Sequence, residues 1–587
     1  MIGTNTGRET HMTYDLIIRG GTVIDGTGNP RRTADIGIRA GRIVEIGSIS
    51  GARSGSATRE INAAGAVVAP GFVDIHTHYD GQATWASRMS PSSHHGVTTV
   101  VMGNCGVGFA PVRKADRQML VELMEGVEDI PGAALHEGLS WEWESFGDYL
   151  DQLGKREYDM DVGAQLPHGP LRVYVMGERG ANREPATPDD IAQMRKLAAE
   201  AMRAGAMGFT SSRTLNHRTV KGEPTPSLTA GADELLGIAM GLKDAGRGVI
   251  ELISDFGDID AEWNIFRDMV AQSGRPMTFS LGQGLGGGPD GWKKLMARVG
   301  EANLAGVPIR GQVAPRAIGL MLGLTATLNP FMTHPTYAAI HKLPLAERVR
   351  TMRDPAFKAK VLLDQPGEKF ERMKRLIGRF ERLYWLGDPP NYEPTHEDSI
   401  AGMAEAQQRA PFEVAYDMLL RDEGKALLYT PFANYMDGNL DVCQEMMQHP
   451  NTVLGLGDGG AHVGTICDAS YPTYLLTHWG RDRKRGQLLP LEWLISRQTR
   501  DTARVLGLND RGVLAPGMRA DINIIDFDRL TLHSPFMVND LPAGSARLNQ
   551  HATGYLATLV NGVVTYENGE ATGALPGRLV RGAQAGP

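Results

Sequence analysis

The sequence predicts an α/β protein, a (β/α)8 TIM-like barrel joined to a small β-sandwich built from both chain ends. Three observations carry this. Eight short strand candidates alternate with helix-like stretches through the middle of the chain, and repeated βα units imply parallel strands. The two ends instead alternate short apolar runs with glycine turns. Distinctive polar residues recur at the C-terminal ends of the strand candidates, the rim where such a barrel builds its site.

Residues 1–11 read as an N-terminal extension, because a strand-like pattern begins only at Tyr14. Residues 14–66 form the first part of the β domain, with runs such as Asp15-Leu16-Ile17-Ile18-Arg19 closed by Gly20-Gly21. The barrel spans 67–515, with strand candidates at 73–78, 98–103, 162–166, 207–211, 249–254, 277–281, 309–313 and 453–457. Helical stretches such as 189–205 and 292–305 lie between them. A long gap at about 318–450 holds mainly helix-like sequence and reads as an insertion over the barrel mouth. Residues 516–575, with Ile522-Asn523-Ile524-Ile525 and Leu559-Val560-Asn561-Gly562, supply the second part of the β domain, and 576–587 a C-terminal tail. Each end alone offers too few strands to bury a face, so the two are expected to pair.

Composition narrows the function. The chain has 587 residues, too many for one small core, and 72 glycines for many turns. A net charge of −8 without a basic stripe argues against nucleic acid as partner. No apolar run approaches the ~18 residues of a membrane helix, and no apolar signal core opens the chain. Three cysteines in so long a chain make no disulfide framework, and a cytoplasmic, reducing location fits.

The chemistry concentrates in a few residues. His76 and His78, in Asp74-Ile75-His76-Thr77-His78, are two apart, and a strand presents such residues on one face. Paired imidazoles suit a divalent metal such as zinc. Strand two ends in Gly103-Asn104-Cys105-Gly106, strand three at His168, and strand eight in Gly457-Asp458-Gly459-Gly460-Ala461-His462. Each has a structural reading: Cys105 as a small buried hydrophobe, His168 as a core histidine, Asp458 as a turn residue. Gathered on one rim, they read better as a site. After strand four, Arg213, His217 and Arg218 stand near the predicted mouth and suit a substrate carboxylate, against an ordinary solvated loop. Trp263 and Tyr435 are candidates for an apolar pocket or for the core.

The motifs resemble the metal-dependent amidohydrolase superfamily, in its D-aminoacylase or N-acyl-D-amino-acid deacylase branch. The resemblance covers nearly the whole chain. It rests on Asp15–Gly21, on Pro70-Gly71-Phe72-Val73 leading into the His76/His78 pair, and on Gly96-Val97-Thr98-Thr99 leading into Gly103-Asn104-Cys105-Gly106. His168-Gly169-Pro170-Leu171-Arg172, Gly205-Ala206-Met207-Gly208-Phe209 and Leu541-Pro542-Ala543-Gly544 extend it. It implies a sandwich plus barrel, a metal-bound water, amide hydrolysis, and a strand-eight aspartate that handles the water's proton.

The chain also departs from that pattern. The resemblance implies histidines at the ends of strands five and six. Strand five reads Val249-Ile250-Glu251-Leu252-Ile253-Ser254: one register puts Leu252 at that position, and a one-residue slip puts Glu251 there. Strand six places Leu281 there. His76, His78 and Asp458 remain as ligands; Cys105 is a fourth ligand or a relic, and Glu251 is a replacement if it points inward.

The expectation is therefore a hydrolase of a C–N bond, an amide or cyclic amide, with Asp458 as general base and His168 as a donor to the carbonyl. The expected cofactor is a divalent metal, zinc by preference, and the expected partner a small-molecule substrate, with a homo-oligomer left open. Two rivals stand beside it: another reaction such as ring opening, deamination or decarboxylation, and a scaffold that has lost its metal.

Overall fold

The computed structural model describes residues 14–49, 57–364 and 377–587, so the expected extension 1–11 lies outside the described residues. A parallel barrel forms the centre. Its strands in order are Phe72–Asp74, Val97–Met102, Asp161–Ala164 continued by Leu166–Pro167, Gly208–Arg213, Val249–Ser254, Met277–Ser280, Ile309–Val313 and Thr452–Leu454. Each pairs in parallel with the next. The last meets the first through the Thr77–Gly459 bridge, where the His78 amide donates to Gly459 O at 2.7 Å. All eight strand candidates overlap observed strands, although the first and eighth stop at Asp74 and Leu454, short of the expected 78 and 457.

Local chemistry sets the intervening helices. Pro188–Ala204 starts at Thr187, whose hydroxyl accepts from the Asp190 amide while Asp190 answers the Thr187 amide. Gly205, at φ +114°, ends it. Its apolar face, with Met194, Ala198 and Met202, packs into the main core around the barrel.

Strands from both chain ends share one nine-stranded sheet. Val67–Pro70 from the first end lies antiparallel to Ile522–Ile525 from the second, with Leu16–Val23 and Tyr555–Val560 beyond them. Leu16, Ile18, Ile36, Ile522, Ile524 and Leu559 fill its core. The sandwich strand reaches Pro70, a few residues past the boundary expected at 66.

Two segments differ from expectation. The insertion carries helices, but it also holds a three-stranded antiparallel sheet. Ile318–Leu322 pairs with Leu428–Ala433, and Tyr384–Trp385 adds to the latter. Partners so far apart in sequence leave no local pattern. The segment 576–587 is no loose tail. The Val162 amide donates to Arg578 O and its carbonyl accepts the Val580 amide, and Val580 is buried with Val73, Val101, Met207, Val249 and Val453.

Candidate metal centre

The site sits where the first, second, fifth and eighth strands end. His76 and His78 follow the first strand, with ring centroids 5.5 Å apart. One ring nitrogen of each and the Cys105 Sγ all lie within 4.8 Å of one another, and all three side chains are buried. Cys105 occupies a left-handed backbone position, φ +54°, in the short turn Asn104–Gly106. Asn104 fixes that turn by donating to Thr77 O and Val101 O. Asp458 is also left-handed, φ +48°, and its amide donates to His76 O. Its Oδ1 lies 3.3 Å from His76 Nε2 and 3.7 Å from His78 Nε2.

Hydrogen bonds behind the rings decide which nitrogen faces the cluster. The Gln312 amide donates to Thr278 Oγ1 at 2.9 Å, which turns its carbonyl toward His76 Nδ1 at 2.7 Å. A carbonyl only accepts, so His76 carries a proton on Nδ1 and turns Nε2 to the cluster. His78 Nδ1 lies 3.1 Å from Glu128 Oε1, near enough to bond, although the ring N–H is tilted off the oxygen.

The site crowds negative charge into a dry place. Burial lowers the His78 pKa to about 4, so its ring is neutral at pH 7. Burial opposes ionisation of Asp458, but the nearby rings of His78, His76 and His462 hold its carboxyl well below the usual range. Burial pushes the Cys105 thiol up, and Glu251, Asp458 and Glu128 push it further. Burial also raises Glu128 and Glu251, with Asp458 adding to both, and lifts Asp74 to about 7.

The positions expected from sequence fall into groups. His76, His78, Cys105 and Asp458 come together. Glu251 does point inward: it pairs between Thr210 and Thr278, and its Oε2 accepts the Cys105 amide at 2.9 Å. Its Oε1 is buried without a hydrogen-bond partner. The register that put Leu252 inside is therefore overturned; Leu252 is buried in the core outside the strand, because neighbours on a strand face opposite ways. Leu281 fills the room left by Gly311, where a Cβ would overlap it.

His168 has both ring nitrogens engaged, with Ser211 Oγ at 2.8 Å and Glu234 Oε1 at 3.0 Å, so neither is turned to the cluster. Arg213 is clamped by both oxygens of Glu262 at 2.7 Å, and Arg218 donates to Leu215 O and Gly222 O. Neither guanidinium reaches the cluster in this arrangement. His217 is held at Nδ1 by Ser212 Oγ; burial, and then the fields of His462 and His78, lower its pKa to about 3. Trp263 packs on Phe279 and Tyr435 is buried, so both belong to the core.

Sequence reasoning passed over Glu128, Gln312 and His462. His462 stood in the quoted strand-eight segment, four residues from Asp458, which was a usable signal. Glu128 closes the helix Arg117–Glu128 and carried none.

The donor set fits a divalent cation. Two imidazoles, a thiol and a carboxylate suit zinc, and the unpartnered Glu251 oxygen borders them. A divalent charge there would relieve the crowded carboxylates and deprotonate the thiol.

Comparison with known proteins agrees with the geometry. The profile of the amidohydrolase family matches residues 59–566. The chain is 27% identical to D-aminoacylase of Alcaligenes xylosoxydans xylosoxydans over 97% of both chains. It is also 27% identical to N-acyl-D-glutamate deacylase of the same organism, over 97% of this chain and 96% of the other. A solved D-aminoacylase, studied for its binuclear metal centre, superposes with TM-score 0.63 at 25% identity, covering 97% of this chain and all of that one. An N-acyl-D-glutamate deacylase of Bordetella bronchiseptica, bound to zinc and a phosphonate inhibitor, superposes at 0.61 with 24% identity and the same coverage, which speaks for the fold.

Proposed function

The chain belongs to the amidohydrolase family, and from that premise we propose that it hydrolyses the amide bond of an N-acyl amino acid, D-configured, using zinc. The observation that carries this is the convergence of His76, His78 and Cys105 beside the Asp458 carboxylate at the barrel rim. His76, His78, Cys105 and Asp458 would hold the ion, with Glu251 as a further oxygen donor. When bound, a divalent ion polarises the carbonyl and lowers the pKa of water toward neutrality. Asp458 accepts the proton of the attacking water and delivers it to the leaving nitrogen, so the acid requirement of amine departure is met by the same group. His217, whose Nδ1 is held by Ser212 Oγ at 3.0 Å, offers its other nitrogen to the substrate at the mouth. His168, Arg213 and Arg218 shape that mouth through their own partners. The three cysteines are unpaired and buried, and we place the protein in a reducing cytosol. Among the described residues no helix is long and apolar enough to cross a membrane.

A panel of N-acyl-D- and N-acyl-L-amino acids and cyclic amides, given to metal-stripped and zinc-reconstituted protein, tests the reading by amine release. Release from the D-series alone, restored by zinc, is the expected result. Asp458→Asn keeps the side chain's size but cannot accept the proton, and should lose ~10²–10⁴-fold in kcat, the usual worth of one acid–base group. Zinc-loaded protein that releases no amine from any member, or an Asp458→Asn variant with full turnover, overturns it.

A further inference from the structure

The carboxyl group of Glu128 has no part in the mechanism above, and its surroundings are unusual. The side chain is 1% exposed, and its Oε2 is buried with no hydrogen-bond partner. Two imidazoles are what it faces: His78 Nδ1 at 3.1 Å and His462 Nε2 at 3.9 Å. His78 Nδ1 is itself buried with no other partner. A buried carboxyl and a buried ring nitrogen left unbonded are each costly, and here each is the group the other needs.

We propose that Glu128 is a positioning residue for the metal centre, which fixes His78 through Nδ1 and steadies His462 on the strand-eight loop. This rests on the metal reading given above. A carboxylate behind an imidazole accepts its N–H, leaves the opposite nitrogen as the ligand and makes that nitrogen a stronger donor. The two histidines are then treated differently. His76 is backed by the neutral Gln312 carbonyl, and His78 by a carboxyl that a bound divalent ion would hold ionised. The helix end is tied to the loop as well: Val463 N donates to Glu128 O, and Asp129 accepts from the Gly464 amide and from Thr327 Oγ1. Glu128 thus sits where one helix terminus touches both a ligand and the loop that follows Asp458.

The test compares shape with charge. Glu128→Gln keeps the shape and loses the charge; Glu128→Asp keeps the charge and is one methylene shorter. Zinc affinity is measured by chelator competition, and the ligand field by the visible absorption of cobalt-loaded protein. Glu128→Gln should bind zinc about 10–100-fold more weakly and shift the cobalt bands, with Glu128→Asp between it and wild type. A packing role would reverse that order, since Gln is the better steric match. If Glu128→Gln does not fold, Glu128→Asn against Glu128→Asp makes the same comparison at the shorter length. Reversed order, or Gln affinity within about twofold of wild type with unchanged bands, overturns the proposal. Wild-type protein that takes up neither zinc nor cobalt overturns the metal reading, and this one with it.

Discussion

Single residues in this protein are tuned by where burial puts them. Cys105, Asp458 and His462 all take left-handed backbone angles, an uncommon choice for non-glycine residues that recurs at functional turns. Histidines away from the cluster feel the same dryness. His94 packs against His551, centroids 4.4 Å apart, and burial, then the fields of His551, Arg547 and Arg88, lower its pKa from 6.5 to about 3. The unfolded chain therefore takes up a proton below pH 6.5 that the folded one refuses. The stabilising term is whole above that pH and is lost as pH falls toward 3. His94→Asn should show a shallower loss of unfolding free energy on acidification than wild type, read from denaturant titrations at several pH values. Equal slopes would mean that His94 is not held neutral.

At the scale of elements, the helix Arg117–Glu128 carries more than its own turn. Its end brings Glu128 to His78, and Gly126 lets it press on the loop after strand four. A Cβ at Gly126 would overlap the backbone of residues 218–220, next to His217. Overpacking of this kind costs ~1–3 kcal/mol. Gly126→Ala should therefore lower stability by about that amount and raise KM more than it lowers kcat, because the displaced loop bears His217 rather than the ligands. Steady-state kinetics on the best substrate, beside a melting curve, checks both. Unchanged KM would separate the loop from substrate binding.

The whole molecule is closed from both ends. The nine-stranded sheet needs strands from each terminus, and the last dozen residues seal the barrel from below. Val580 completes an apolar layer with Val73, Val101, Met207 and Val453, 8% exposed. Val580→Ala removes two methylenes from it and should cost about 1.6 kcal/mol at ~0.8 per CH₂. Deleting 576–587 also exposes strand edges at Val162 and should lower the melting temperature further than the point change. A truncated protein that melts with wild type would show the segment to be dispensable.

Much of this was legible in the sequence, for a local reason. Strand and helix periodicity, glycine turns and polar residues at strand ends are written within windows of a few residues, so the eight barrel strands and the approach of His76, His78, Cys105 and Asp458 could be read directly. What tertiary structure decided depends on direction and distance. Whether Glu251 or Leu252 faces inward turns on one residue of register, fixed only when Thr210 and Thr278 pair beside it. Arg213 looked free for a substrate until Glu262, 49 residues on, took two of its three guanidinium nitrogens and Ala230 O the third. Glu128 and Val580 acquire their roles from partners far along the chain. Long-range pairing costs loop-closure entropy and is settled by the packing of the whole, so no short stretch of sequence records it.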